Sequence, residues 1–153
     1  MVDINMVSLE LKFLIGFVFC FIAGFMIGFE RGSREKPAGV RTQTLVCMGA
    51  FLFTMISLNI EPNSTARIAA NIVTGIGFLG AGMIMQYKGS VQGVTTAATI
   101  WMSAAIGMAI GFGWYLIAIM ASLLSFSVLR LPHFGEHGPP ELVKRNNKEK
   151  GKK

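Results

Sequence analysis

The charges of this chain fall in widely separated clusters, and the stretches between them are as long as a lipid bilayer is thick. After Lys12 no charged residue occurs before Glu30, none between Arg41 and Glu61, none between Arg67 and Lys88, and none between Lys88 and Arg130. A helix needs ~20 residues to cross ~30 Å of hydrocarbon. The apolar runs 13–29, 42–60 and 68–87 contain 17, 19 and 20 residues, and each reads as one crossing. The run 89–129 has 41 residues, twice one crossing, with Gly111-Phe112-Gly113-Trp114 at its middle, where a tight turn between two helices falls. The pattern predicts an all-α, polytopic membrane bundle of five transmembrane helices, with four as the alternative count. Hydrophobic residues at 52% against 14% charged exclude both a soluble domain and a disordered chain. A cleaved signal peptide is the competing reading of the first run. Asp3 and Glu10 precede that run and no small-residue cleavage pattern follows it, so it reads as a retained helix.

Orientation follows from Lys and Arg, which stay on the cytoplasmic side of the spans they flank. The loop after the first span holds Arg31, Arg34, Lys36 and Arg41. Placing it inside puts the N-terminus outside, Lys88 inside and the C-terminus inside. Twelve of the fourteen basic residues then face the cytoplasm, and an odd number of spans is what makes the count agree. Residues 1–131 form the expected transmembrane domain. Residues 132–153 form a basic cytoplasmic tail whose Gly135, Gly138, Pro139 and Pro140 prevent a core. That tail reads as a solvated, flexible end, with attachment to anionic lipid as the functional alternative. Nucleic acid is not expected as a partner, because the basic tract has no aromatic residues to stack on bases. His133 and His137 have zinc-ligand spacing, but the surrounding glycine and prolines forbid the helix that would align them, so no metal site is expected.

Helices in lipid gain little from hydrophobic pairing, so they associate through small residues that let backbones approach. Gly16, Cys20, Gly24, Gly28 and Gly32 recur every four residues along the first span, and Ser103, Gly107 and Gly111 repeat the pattern in the fourth. The third span holds Gly75, Gly77, Gly80, Ala81 and Gly82, a density that predicts a central helix touching several neighbours, with a kink or unwound turn near Gly80–Gly82. Cys20 and Cys47 fall in the apolar runs and behave as small apolar side chains with no implied redox role.

Polar residues inside the spans need a reason, because an unpaired charge in the membrane costs ~3 kcal/mol on insertion scales. Counting inward from Lys12 leaves Glu30 and Arg31 at the inner edge, with Arg41 the expected partner of Glu30. Thr42, Gln43 and Thr44 open the second span, Gln86 closes the third, and Thr95, Thr96 and Thr99 open the fourth. Together they are expected to form one polar layer at the inner ends of the helices. Arg67 and Asn71, four apart, share a helix face as an outer polar pair. Helix–helix glue is the bland reading of all of these, and a hydrogen-bonded clamp or ligand vestibule the functional one.

Gly24-Phe25-Met26-Ile27-Gly28-Phe29-Glu30-Arg31 with Lys36-Pro37-Ala38-Gly39-Val40-Arg41-Thr42 resembles the opening signature of the MgtC/SapB membrane proteins. The stretch from Arg67 through Asn71 to Gly82 is similar to that family's third-span motif, and Gly93-Val94-Thr95-Thr96-Ala97-Ala98-Thr99-Ile100-Trp101 to its fourth. The resemblance covers about residues 10 to 130. It implies a multi-pass inner-membrane protein linked to growth at low magnesium, to virulence through survival in macrophages, and to inhibition of the F-type ATP synthase. It also directs attention to Glu30, Arg31, Arg41, Arg67, Asn71 and Thr95. Many members carry a folded C-terminal cytoplasmic domain that has no counterpart here, and positions 71 and 95 are Asn and Thr where Gln and Asn are familiar in some members.

No nucleophile is paired with a base and no cofactor loop is present, so an enzyme is not expected and no cofactor is implied. A non-catalytic regulator is expected to pack its glycine faces against a second copy, a dimer being favoured, and against a partner membrane complex. The alternative is a magnesium or other cation channel, which needs a homo-oligomer to assemble a ring of Glu30 side chains because one carboxylate is too few for Mg²⁺.

Overall fold

A computed structural model describes residues 4–60, 65–87 and 90–131. The expected tail, 132–153, and Lys88 lie outside the described residues. Five helices run in chain order: α1 Ile4–Ser33, α2 Val40–Ile60, α3 Thr65–Gly82, α4 Val94–Gly111 and α5 Tyr115–Arg130. Three of them, α1, α2 and α4, carry segments long and apolar enough to cross a membrane, while α5 is apolar but shorter. Between α3 and α4 lies a short antiparallel hairpin, β1 Met85–Tyr87 with β2 Ser90–Gln92, in which Gln86 faces Val91.

The centre of the bundle is α2 held between α1 and α4, with α5 against α1 and α4. Glycine sets this arrangement. The space that a β-carbon would take at Gly16 is filled by the Phe51 ring, at Gly24 by the Thr44 backbone, and at Gly28 by the Val40 backbone. The three levels descend α1 as they ascend α2, so the two helices are antiparallel in fixed register. On the other flank, Gly107 receives the Cys47 carbonyl, and Gly111 lies 2.6 Å in this sense from Thr54 Cβ. Here residue numbers rise together, so α2 and α4 are parallel. Phe51 is fully buried where the three helices meet, its ring centroid 5.7 Å from Phe13 and 6.1 Å from Phe17.

The outer surface is apolar. Leu14, Val18, Phe21, Ile22, Phe25 and Phe29 of α1 and Leu116, Met120, Leu124 and Val128 of α5 are all exposed, while Gln43, Thr96, Thr99 and Ser103 are buried. Polar inside and apolar outside is the distribution of a bundle whose solvent is lipid. Hydroxyls away from the polar interior close on their own helices: Thr54 Oγ1 donates to Ala50 O at 2.8 Å, and Ser122 Oγ to Ala118 O at 2.7 Å. Neither of these two hydroxyl hydrogens is then left facing hydrocarbon.

The turn expected at Gly111–Trp114 is where the chain reverses. Trp114 N donates to Ala109 O at 2.8 Å and Gly113 N to Ile110 O at 2.9 Å, with Gly113 at φ 79°. This is a Schellman stop, which needs the left-handed conformation that glycine adopts without strain. The same motif ends α1, where Lys36 N donates to Arg31 O and Glu35 N to Gly32 O, but the left-handed position is Glu35 at φ 54°.

Two expectations for the third span are corrected. It is peripheral, leaning chiefly on α4 and more lightly on α2. Gly75, Gly77 and Gly82 have open space beside them, and of the four only Gly80 meets a neighbour, since a β-carbon there would lie 3.6 Å from Ala97 Cβ. Its glycines therefore expose backbone instead of admitting other helices. Nor does the helix run on to Tyr87: it ends at Gly82, in the expected unwound turn, with Met83 N and Ile84 N bonded three residues back to Gly80 O and Ala81 O. Residues Met85–Tyr87 continue as a strand, because a hairpin partner satisfies their backbone as well as a helix would.

Glycines that touch and glycines that do not should respond oppositely to a methyl group. Gly107→Ala forces a methyl into the α2 backbone and is expected to destabilise by about 1–3 kcal/mol. Gly77→Ala meets open space and is expected to stabilise by about 0.5–1 kcal/mol. Denaturant unfolding in mild detergent, followed by circular dichroism, checks both signs.

Candidate functional site

The C-terminal turns of α1 and the N-terminal turns of α2 and α4 gather at one end of the bundle and supply a buried polar cluster. The glycine contacts place it. With α1 and α2 touching at Gly24 and Gly28, and α2 and α4 touching at Gly107, the helix ends lie close enough for short polar side chains to reach across.

Gln43 is the hub, fully buried on α2. Its Nε2 donates to Thr99 Oγ1 at 2.9 Å and to Ala38 O at 3.1 Å, and its Oε1 accepts from Ser103 Oγ at 2.7 Å. Thr99 Oγ1 in turn donates to Thr96 O at 2.8 Å. Thr96, Thr99 and Ser103 are spaced i, i+3, i+7, which puts them on one face of α4 toward α2. One amide therefore ties the α1–α2 loop, α2 and α4 together.

The second part is ionic. Arg31 is 5% exposed and donates from Nη2 to Thr96 Oγ1 at 2.6 Å, joining α1 to α4, while its Nε has no partner. Glu30 is 3% exposed. Its Oε1 lies 2.6 Å from Arg34 Nε one turn along α1, yet neither carboxylate oxygen accepts an aligned hydrogen bond. Glu30 is the one buried carboxylate among the described residues, and two arginines flank it.

Of the expected polar layer, Glu30, Arg31, Gln43 and Thr96 come together, with Thr44 and Thr99. Arg41, Thr42 and Thr95 are exposed and stand outside it, and Gln86 sits on the hairpin. The expected Glu30–Arg41 pair is replaced by Glu30–Arg34, because a partner one turn along the same helix is already within reach. Two participants were not anticipated in these roles. Arg34 was readable from its i, i+4 spacing to Glu30. Ser103 was readable from the face it shares with Thr99, although its small size also suits packing. At the opposite end Arg67 and Asn71 are both exposed, and Asn71 lines an apolar groove of about 550 Å³ between α2 and α3. Among the described residues no group of three or more His, Cys, Asp or Glu is placed to hold a metal ion.

An apolar exterior around a hydrogen-bonded polar interior, on helices of spanning length, defines the class: a polytopic helical membrane protein. The MgtC family's sequence profile matches residues 17–136, and this chain belongs to that family. It is 43% identical over 116 residues to "Protein MgtC" of Salmonella typhimurium (strain LT2), a match covering 76% of this chain and 50% of that protein. It is 41% identical over 134 residues to "Putative magnesium transporter YhiD" of Escherichia coli (strain K12), covering 80% of this chain and 61% of that one. With "Protein MgtC" of Brucella abortus it shares 46% identity over 109 residues, 71% of this chain and 46% of the relative. The chain thus spans about half the length of the curated relatives it matches. No solved structure matches it.

The cluster makes three energetic predictions. Gln43→Ala should destabilise by about 1–3 kcal/mol, because it leaves the buried Ser103 hydroxyl without its acceptor. Gln43→Ala and Ser103→Ala should be non-additive, measured by a double-mutant cycle in detergent unfolding. Arg34→Ala should cost about 1–3 kcal/mol by stranding the buried carboxylate, the lower end reflecting the partial exposure of Arg34, while the exposed Arg41→Ala should stay within about 0.5 kcal/mol.

Proposed function

We propose that this chain is a non-catalytic, multi-pass protein of the cytoplasmic membrane that serves adaptation to low magnesium by associating with another membrane protein, the F-type ATP synthase being the candidate the family resemblance suggests. All five helices cross the bilayer, with the N-terminus outside and the C-terminus in the cytoplasm. The antiparallel pairing of α1 with α2, the parallel pairing of α2 with α4 and the location of twelve of fourteen basic residues support that topology. The magnesium connection rests on the names of the relatives above.

The observation that carries the non-transporting reading is the electrostatics of Glu30. Mg²⁺ takes oxygen ligands and gives up its water reluctantly, so a protein site needs carboxylates that are free to face it. Here the single carboxylate buried among the described residues is paired with Arg34 and adjacent to Arg31, so the cluster carries more positive than negative charge. A dication approaching it is repelled. Self-association, as a dimer, is part of the proposal and uses faces other than Gly24 and Gly28, since α2 already occupies those glycines.

The transport alternative is a homo-oligomer in which Glu30 side chains from several copies line a pore, and it requires each to break its bond to Arg34. Magnesium flux into proteoliposomes holding the purified chain decides between the two. The expected result is no flux above protein-free liposomes. Flux that Glu30→Gln abolishes would overturn the proposal in favour of the channel.

A further inference from the structure

The first turn of α4 combines two features that a membrane protein ordinarily keeps apart. α4 begins at Val94 after Gly93, and Ala97 N is bonded to Gly93 O at 2.9 Å. The N–H groups of Val94, Thr95 and Thr96 therefore precede the helix's own acceptors, and no side chain caps them. Gly93 cannot supply a cap. It has no side chain, its φ is 87°, and a β-carbon there would run into Met83 O. This is the positive end of an 18-residue helix.

Against that end lies a second positive charge. The Arg31 guanidinium donates to Thr96 Oγ1 in the same turn, is nineteen-twentieths buried, and keeps an Nε with no acceptor. A cation is unfavourable at a helix N-terminus, where anions bind. Among the described residues Glu30 is the one carboxylate beside both Arg31 and Arg34, so it offsets only one of the two arginine charges. Around this end the described cationic residues are Arg31, Arg34, Lys36, Arg41 and Arg130, against only Glu30 and Glu35. Two positive groups, the exposed amide end of the helix and the buried guanidinium, exceed the charge of the one carboxylate beside them and describe an anion site whose anion comes from outside the chain.

We propose that the N-terminal turn of α4 and Arg31 bind a phosphate group, its oxygens accepting from the Val94–Thr96 amides and the guanidinium. A phosphate has enough acceptors for both, and its charge offsets the helix end and the arginine together. Exposed Thr95 marks the side from which the ligand enters. An anionic phospholipid headgroup and free inorganic phosphate share this chemistry.

Thermal unfolding of the full chain in phosphatidylcholine nanodiscs tests the site. One arm adds inorganic phosphate, with sodium chloride at matched ionic strength as control, and the other replaces part of the lipid with phosphatidylglycerol. The wild type should melt higher with phosphatidylglycerol, with phosphate, or with both. A response to the lipid alone assigns the headgroup, to phosphate alone the soluble ion, and to both the phosphate group itself. Arg31→Gln retains a donor for Thr96 but removes the charge, and should weaken the response at least tenfold in ligand concentration. Thr95→Glu places a carboxylate in the same turn without disturbing a buried residue. It should raise the melting temperature in phosphatidylcholine alone and abolish the response to either ligand, which keeps the test decisive should Arg31→Gln fail to fold. A wild type indifferent to both ligands, a chloride response equal to that of phosphate, or a full response retained in Thr95→Glu would overturn the proposal.

Discussion

Lipid gives apolar helices almost no reason to cluster, so the bundle rests on how closely α2 can approach α1 on one side and α4 on the other. Glycine at 16, 24, 28, 107 and 111 removes the side chains that would hold these backbones apart, and the Phe51 ring fills the space where the three helices meet. Dispersion over such short separations replaces the hydrophobic drive available in water. The polar cluster depends on this geometry. Gln43 reaches Thr99 and Ser103 only because Gly107 lets α4 lie against the backbone of α2 a little over one turn further along.

The dependence runs both ways. Sliding α2 along α4 by one residue would move Gln43 off Ser103 and leave two buried polar groups with neither water nor lipid to satisfy them. The glycine contacts thus bring the helices together without fully specifying their register, and the amide of Gln43 supplies the missing selectivity. Arg31 does the same between α1 and α4 through Thr96. Charge and packing are therefore one system at this end of the bundle, and the excess of positive charge is a property of the fold as much as of the composition.

Much of this was legible in the sequence, for identifiable reasons. Helix number followed from the spacing of charges, and the reversal at Gly111–Trp114 from an apolar run twice the length of one crossing with glycines at its middle. Glu30, Arg31, Gln43 and Thr96 were legible as a group because all lie at helix ends that alternation brings to one side. What failed had an ambiguous one-dimensional signature or none. The partner of Glu30 depended on whether Arg34 or Arg41 points back into the bundle, and hydropathy is blind to the direction of a side chain beyond the membrane edge. The hairpin at Met85–Gln92 was hidden because its first strand continues the apolar run of α3. Glycine density located α3 wrongly, since a glycine that admits a neighbour and one that merely bares its backbone are the same letter.

The parallel pairing of α2 with α4 has a topological consequence for the residues between them. Neighbours that point the same way cannot be joined by a short turn, so the chain must travel back along the bundle before the second one can start. α3 and its hairpin are that return stroke. Their light seating follows from connectivity, and the segment is answerable first to the distance it must cover, leaving its flank unclaimed by the three helices whose order it makes possible.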